Sequence, residues 1–98
     1  MEISINHGEA LVIALNGRLD TVTSTQLGDA FAKEEVKESL VIIDAKDLEY
    51  ISSAGLRILL SIKKTLSAQG KEFEIHNLNQ VCTEVFRVTG FKNVLTVK

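Results

Sequence analysis

LVIIDAKDLEYISSAGLRILL, residues 40–60, decides the fold. Leu40-Val41-Ile42-Ile43 is a continuous, largely β-branched run, the pattern of a strand covered on both faces. The charged residues from Asp44 to Glu49 then read as a loop. From Ala54 to Gln69 the spacing of Leu56, Leu59, Leu60 and Leu66 is that of an amphipathic helix. Lys63, Lys64 and Gln69 are its solvated residues, and Gly70 suits a left-handed stop. Ser52 and Ser53 stand immediately before that helix, where hydroxyls accept backbone N–H groups that a helix start leaves unpartnered. Strand, connection and helix in this order make one unit of an α/β fold.

The same alternation extends both ways. Downstream, Phe73 and Ile75 alternate with Glu72, Glu74 and His76 as a strand. A helix follows from about Gln80 to Thr89 and stops at Gly90, and Val94-Leu95-Thr96-Val97 reads as a short closing strand. Upstream, Ile3 and Ile5 alternate with polar residues, Asn6-His7-Gly8 supplies turn chemistry, and Ala10 to Leu15 reads as a second strand. So short a connection makes the first two strands antiparallel. Asn16-Gly17 ends or bends the second strand, and Arg18-Leu19-Asp20 leads out of it. Thr21, Thr23 and Ser24 are cap-type residues ahead of Leu27, Ala30, Phe31 and Val36, which fall at helical spacing. The order β-β-α-β-α-β-α-β predicts a single α/β domain over residues 1–98, its sheet mostly parallel with an antiparallel edge strand. Ligands and partners of such sheets are met at the carboxyl ends of strands. Asp20, Ser52 and Ser53 are expected there.

Composition narrows the function classes. A chain of 98 residues with a formal charge of −2 has room for one core and no reason to seek nucleic acid or an anionic membrane. No basic run, zinc-finger spacing or aromatic platform occurs. Cys82 is the single cysteine, so no internal disulfide forms, which points to a reducing compartment. Its neighbours Val81, Val85 and Phe86 mark it as a small buried hydrophobe. The start MEISINHGEA is acidic and alternating, unlike a signal peptide, and no apolar stretch approaches the ~20 residues that span a bilayer. The expectation is a soluble cytoplasmic protein without membrane insertion.

Enzymatic chemistry finds little support. A nucleophile elbow needs Gly-x-Ser-x-Gly, whereas Ile51 stands two before Ser53 and only Gly55 two after. A serine nucleophile also needs a base, and His7 and His76 read as solvated turn and strand-end residues. Asp44 and Asp47 are acids of a loop rather than a dedicated metal site, and the dispersed glycines form no phosphate loop. Neither catalysis, metal nor cofactor is expected. A helix start does suit a phosphate, because its free N–H groups and positive potential stabilise an anion there. Phosphorylation adds roughly −1.5 to −2 charges, which would change the surface without melting the helix.

Four segments together resemble a known family: LNGRLDTVTSTQL, VIIDAKDLEYISSAGLRILL, SAQGKEFEI and FRVTGFKNVL. They span nearly the whole chain and are similar to a STAS domain of the anti-sigma factor antagonist type. The resemblance implies a partner switch. The unphosphorylated antagonist binds an anti-sigma factor that is also a serine kinase and so releases sigma factor. Phosphorylation then breaks the complex, and a separate serine phosphatase resets it. The family segment reads Asp-Ser-Ser/Thr-Gly-Leu-Gly. Laid against it, Ser52 stands for the Asp, Ser53 for the phosphorylated serine, Ala54 for the next hydroxyl residue, and Gly55 and Leu56 for Gly-Leu. Arg57 stands for the last Gly.

The Asp-to-Ser52 departure removes a carboxylate beside the phosphate and adds a second hydroxyl that competes as acceptor. Arg57, one turn after Ser53, is placed to pair with a phosphate there, with a solvated surface residue as its other reading. Asp20 matches the acid of the family's Gly-x-Leu-Asp segment, with helix capping as its other role. The resemblance thus implies a partner surface of Asp20, Ser52, Ser53, Gly55 and Arg57. Its alternative is a non-catalytic STAS subunit of a transporter or lipid-transport complex, in which Ser53 would serve only to start the helix.

Overall fold

The computed structural model describes residues 1–98. Strands β1 (Glu2–Asn6) and β2 (Leu11–Leu19) are followed by helix α1 (Thr21–Ala32), strand β3 (Leu40–Ile51) and helix α2 (Ser53–Ala68). Strand β4 (Glu72–His76), helix α3 (Gln80–Thr89), one 3-10 turn (Phe91–Asn93) and strand β5 (Thr96–Val97) complete the chain. The strands lie in sequence order across one sheet, β1 antiparallel to β2 and the remaining neighbours parallel. The predicted fold class and element order are those observed.

Two expectations for β3 are corrected. Residues 44–49 are strand, not loop, because β3 continues to Ile51 alongside β2. The register slips between Ala14 and Asn16 and again between Gly17 and Arg18, so β3 carries an extra residue at each place. Ala45, Leu48 and Ile51 are therefore buried at a spacing of three, which conceals the strand's period of two. Gly17, at φ 114°, bends β2 rather than ending it.

The sheet is also covered on one face, not both. The chain advances one strand at a time in a constant direction, so right-handed crossovers place each helix on the same side. A single buried cluster accordingly joins Ile13, Val41, Ile43 and Phe73 to Leu27 of α1, Leu59 of α2 and Phe86 of α3. Val12, Ala14, Leu40 and Ile42 point the other way and are only half-buried. The closing strand is shorter than expected because the backbone N–H groups of Val94 and Leu95 are taken by the Phe91 carbonyl at 3.0 and 2.8 Å.

At the end of the sheet where β2 and β3 begin, His7 ties the β1–β2 turn to the segment after α1. Its Nδ1 lies 2.9 Å from Glu38 Oε2 and its Nε2 2.9 Å from Glu34 Oε1. Hydrogen bonds donated to Glu34 and then to Glu38 raise the His7 pKa above its ordinary 6.5. A histidine raised on folding contributes stability that is complete below the unfolded value and lost as pH rises through the folded one. Thermal stability of the native chain should therefore fall, as pH rises above about 6.5, more than that of His7→Gln. Parallel melting curves would refute the bridge.

Candidate functional site

The ends of β2 and β3 are hydrogen-bonded neighbours, Leu19 beside Ile51, and each leads directly into a helix. The Ser52 N–H donates to the Leu19 carbonyl at 2.9 Å, which locks the two helix starts side by side. The pairing of these strand ends thus brings Asp20, Ser52, Ser53 and Arg57 to one end of the sheet.

Ser52 is the N-cap of α2: its backbone is extended and its Oγ accepts from the Gly55 N–H at 3.2 Å. Ser53 is the first helical residue, exposed, and its hydroxyl takes no part in the cap. The two serines are thereby distinguished, one engaged and half-buried, one free. Asp20 caps α1, its Oδ1 accepting from the Val22 and Thr23 N–H groups, each at 3.0 Å, while its own N–H donates to Thr23 Oγ1 at 2.8 Å. The Thr23 N–H and then its hydroxyl hold the Asp20 carboxyl below the ordinary range, so it stays ionised through mild acid. The carboxylate is a fixed negative charge at the start of α1, whose preceding residue Leu19 is tied to Ser52 at the start of α2.

Gly55 is buried against the end of β2. A Cβ there would lie 2.8 Å from the Leu19 carbonyl oxygen and 2.8 Å from Ile51 Cγ1. Gly55 therefore lets the start of α2 sit down on β2, and it has no side chain to offer a contact of its own. Arg57 is exposed and joins no ion pair within the chain. It lines a shallow open groove of roughly 300 Å³ between the two helices, with Thr21, Ser24, Thr25, Ala54, Ile58 and Ser61.

Three features were not singled out from sequence. Val22, in the first turn of α1, is 78% exposed, an apolar side chain standing free beside Asp20. Arg18 lies over the Tyr50 ring, its guanidinium carbon 4.5 Å from the centroid, on the outer face just before both helix starts. The hydroxyl-lined groove arises only when α1 and α2 pack together. An apolar residue at the second position of a capped helix was the available signal for Val22. Nothing local to the sequence pairs Thr25 with Ser61.

Neither histidine is bonded to Ser53. His7, at the opposite end of the sheet, has a carboxylate on each ring nitrogen. His76 is 2.9 Å from Glu74 on β4, whose other oxygen is 3.1 Å from Lys98 Nζ. Both histidines are paired with carboxylates, where the sequence had suggested solvated side chains. Asp44 accepts from Asn77 Nδ2 at 3.0 Å, and burial pushes the Cys82 thiol up, as befits an unreactive core residue.

A mostly parallel, one-sided sheet with two helix starts docked at the ends of its central strands defines a small α/β domain of the STAS type. The chain belongs to the STAS domain family: the family model described as Mlab, STAS domain, matches residues 5–96. It is 32% identical over 99% of its length, and 85% of the relative's, to BtrV of Bordetella bronchiseptica, a protein named as an anti-sigma factor antagonist. Its structure is similar to that of an anti-sigma factor antagonist from Thermotoga maritima, with TM-score 0.88 at 16% identity over 97% of this chain and 84% of the other. It is also similar to SpoIIAA in an unphosphorylated form, with TM-score 0.83 at 19% identity over 99% and 88% of the two chains. Against SpoIIAA in a phosphorylated form the TM-score is 0.74 at 19% identity, over 99% and 91%. No helix of the chain is long and apolar enough to cross a membrane.

Proposed function

We propose that this chain is a non-catalytic anti-sigma factor antagonist, one domain over residues 1–98, acting in the cytoplasm as a phosphorylation-controlled switch. The observation that carries this is the division of labour between the serines. Ser52 caps α2, so the helix start is complete without Ser53, whose exposed hydroxyl is free to accept a phosphate. Unphosphorylated, the surface of Asp20, Val22, Ser52, Ser53 and Arg57 docks an anti-sigma factor with serine kinase activity and so releases sigma factor. A phosphate on Ser53 closes that surface, and a serine phosphatase reopens it. Both BtrV and SpoIIAA carry the antagonist name, and SpoIIAA exists in both phosphorylation states, which supports the reading.

A second reading, a STAS subunit of a transporter or lipid-transport complex, draws on a likeness in fold to a sulfate transporter family protein from Wolinella succinogenes, with TM-score 0.80 at 14% identity over 91% of this chain and 75% of the other. Intact-mass spectrometry with site mapping on protein purified from its native cells separates the two. One added phosphate on Ser53, absent from Ser53→Ala, is the expected result. Its absence in both growing and stressed cells would remove the switch and leave the subunit reading.

A further inference from the structure

We propose that the free edge of β1 is a self-association edge, on which a second copy of this chain pairs β1 antiparallel to β1 with Ser4 on the two-fold axis. The two edges of the sheet are unequal. β5 is two residues long and is followed by Lys98, so the far edge offers little to a new strand. β1 is five regular residues whose pairing with β2 runs unbroken from Glu2–Asn16 to Asn6–Val12. It contains no proline and no bulge, and its single charge, Glu2, stands at its first position, so few of the devices by which natural sheets blunt an edge are present. The two register slips of the sheet fall between β2 and β3, where they cannot protect β1.

The edge is also complementary to itself. Centred on Ser4, the register pairs all five residues, with Glu2 opposite Asn6 of the second copy and Ile3 opposite its Ile5. No like charges face each other, and the two Glu2 side chains stand roughly 13 Å apart along the strands. Ile3 and Ile5 lie on the core side and are only half-buried. Each would complete its burial against the other copy, so the two cores would meet beneath one continuous sheet.

Cysteine cross-linking tests the register. Ser4 is exposed on the uncovered face, so Ser4→Cys leaves the fold intact. Residues opposite each other across an antiparallel pair have Cα atoms about 4.5–5.5 Å apart, within disulfide range. Mild oxidation should link Ser4→Cys into a dimer and leave Asn6→Cys monomeric, whereas an equal mixture of Glu2→Cys and Asn6→Cys should cross-link. Sedimentation velocity of the native chain should show mass rising toward the dimer across the micromolar to millimolar range. A native chain that stays monomeric throughout, or Ser4→Cys linking no better than Asn6→Cys, overturns the proposal. Cys82 is buried and common to all variants, so it contributes no difference.

Discussion

A phosphoserine installed at position 53 is expected to weaken binding to the anti-sigma partner by about 2–5 kcal/mol, roughly a thirtyfold to several-thousandfold loss, with the fold unchanged. The magnitude follows from placement. Ser53 stands at the start of α2, next to the start of α1, so a partner closing over it would strand a doubly charged group away from water. Asp20 already supplies a negative charge at the neighbouring helix start, so the phosphate adds to a field of the same sign. The fold escapes the penalty because an anion at a helix N-terminus is stabilising by about 0.3–1 kcal/mol.

Binding by calorimetry and melting by circular dichroism should therefore diverge: affinity lost, melting temperature held or slightly raised. Ser53→Ala should bind like the native chain. Arg57→Ala should lower the melting temperature of the phosphorylated chain alone, because only there does Arg57 have an anion one turn away. Equal affinity of the phosphorylated and native chains, or loss of the fold on phosphorylation, would sink the switch.

The second large effect is expected from Gly55→Ala, a net destabilisation of about 1–3 kcal/mol. Alanine within a helix should gain about 1 kcal/mol over glycine from propensity alone, so the contact must first cancel that gain. It does so because one of the atoms 2.8 Å from the new methyl is the Leu19 backbone oxygen, which cannot rotate away. That oxygen accepts the Ser52 N–H, so lifting α2 to admit the methyl disturbs the link between the two helix starts.

Thermal unfolding should drop by roughly 4–8 °C per kcal/mol for a domain of this size. Gly28→Ala is the internal comparison. Its Cβ would meet only the flexible Ile58 side chain, Cδ1 at 3.0 Å and Cγ1 at 3.7 Å, and the exchange should be near neutral. If the two variants melt alike, close approach at Gly55 is not what the glycine provides.

Much of this architecture is written locally. α3 ends where Gly90 allows a left-handed turn, and its bounds, Gln80–Thr89, are those the spacing predicts. The antiparallel first pair follows from a turn too short for a crossover, and α2 from its leucines. The second half of β3 was hidden because two bulges convert its inward residues to a spacing of three, and its charges then look like a loop. The uncovered face was hidden for another reason: Leu40 and Ile42 are apolar enough to suggest cover, but which side a helix takes depends on strand order.

At the site, Ser52 and Ser53 were legible as a pair, and Asp20 as a cap. Which serine caps and which stays free is decided by one dihedral step at Ser52, with ψ 174°. Val22 and the groove beside Arg57 depend on how α1 lies against α2, a relation with no short-range signature.

Strand order has a consequence for how the chain comes into being. Every strand pairs with the strand made just before it, so no segment must wait for a distant partner or be threaded between two others. A ribosome delivering the chain from its amino end would present β1 and β2, then α1 and β3, then α2 and β4, each ready to dock on what has already emerged. Contacts this close in sequence keep the loop-closure cost of each step small. The surface of Asp20 and Ser53 would be assembled once α2 has docked, while β4, α3 and β5 are still to be added.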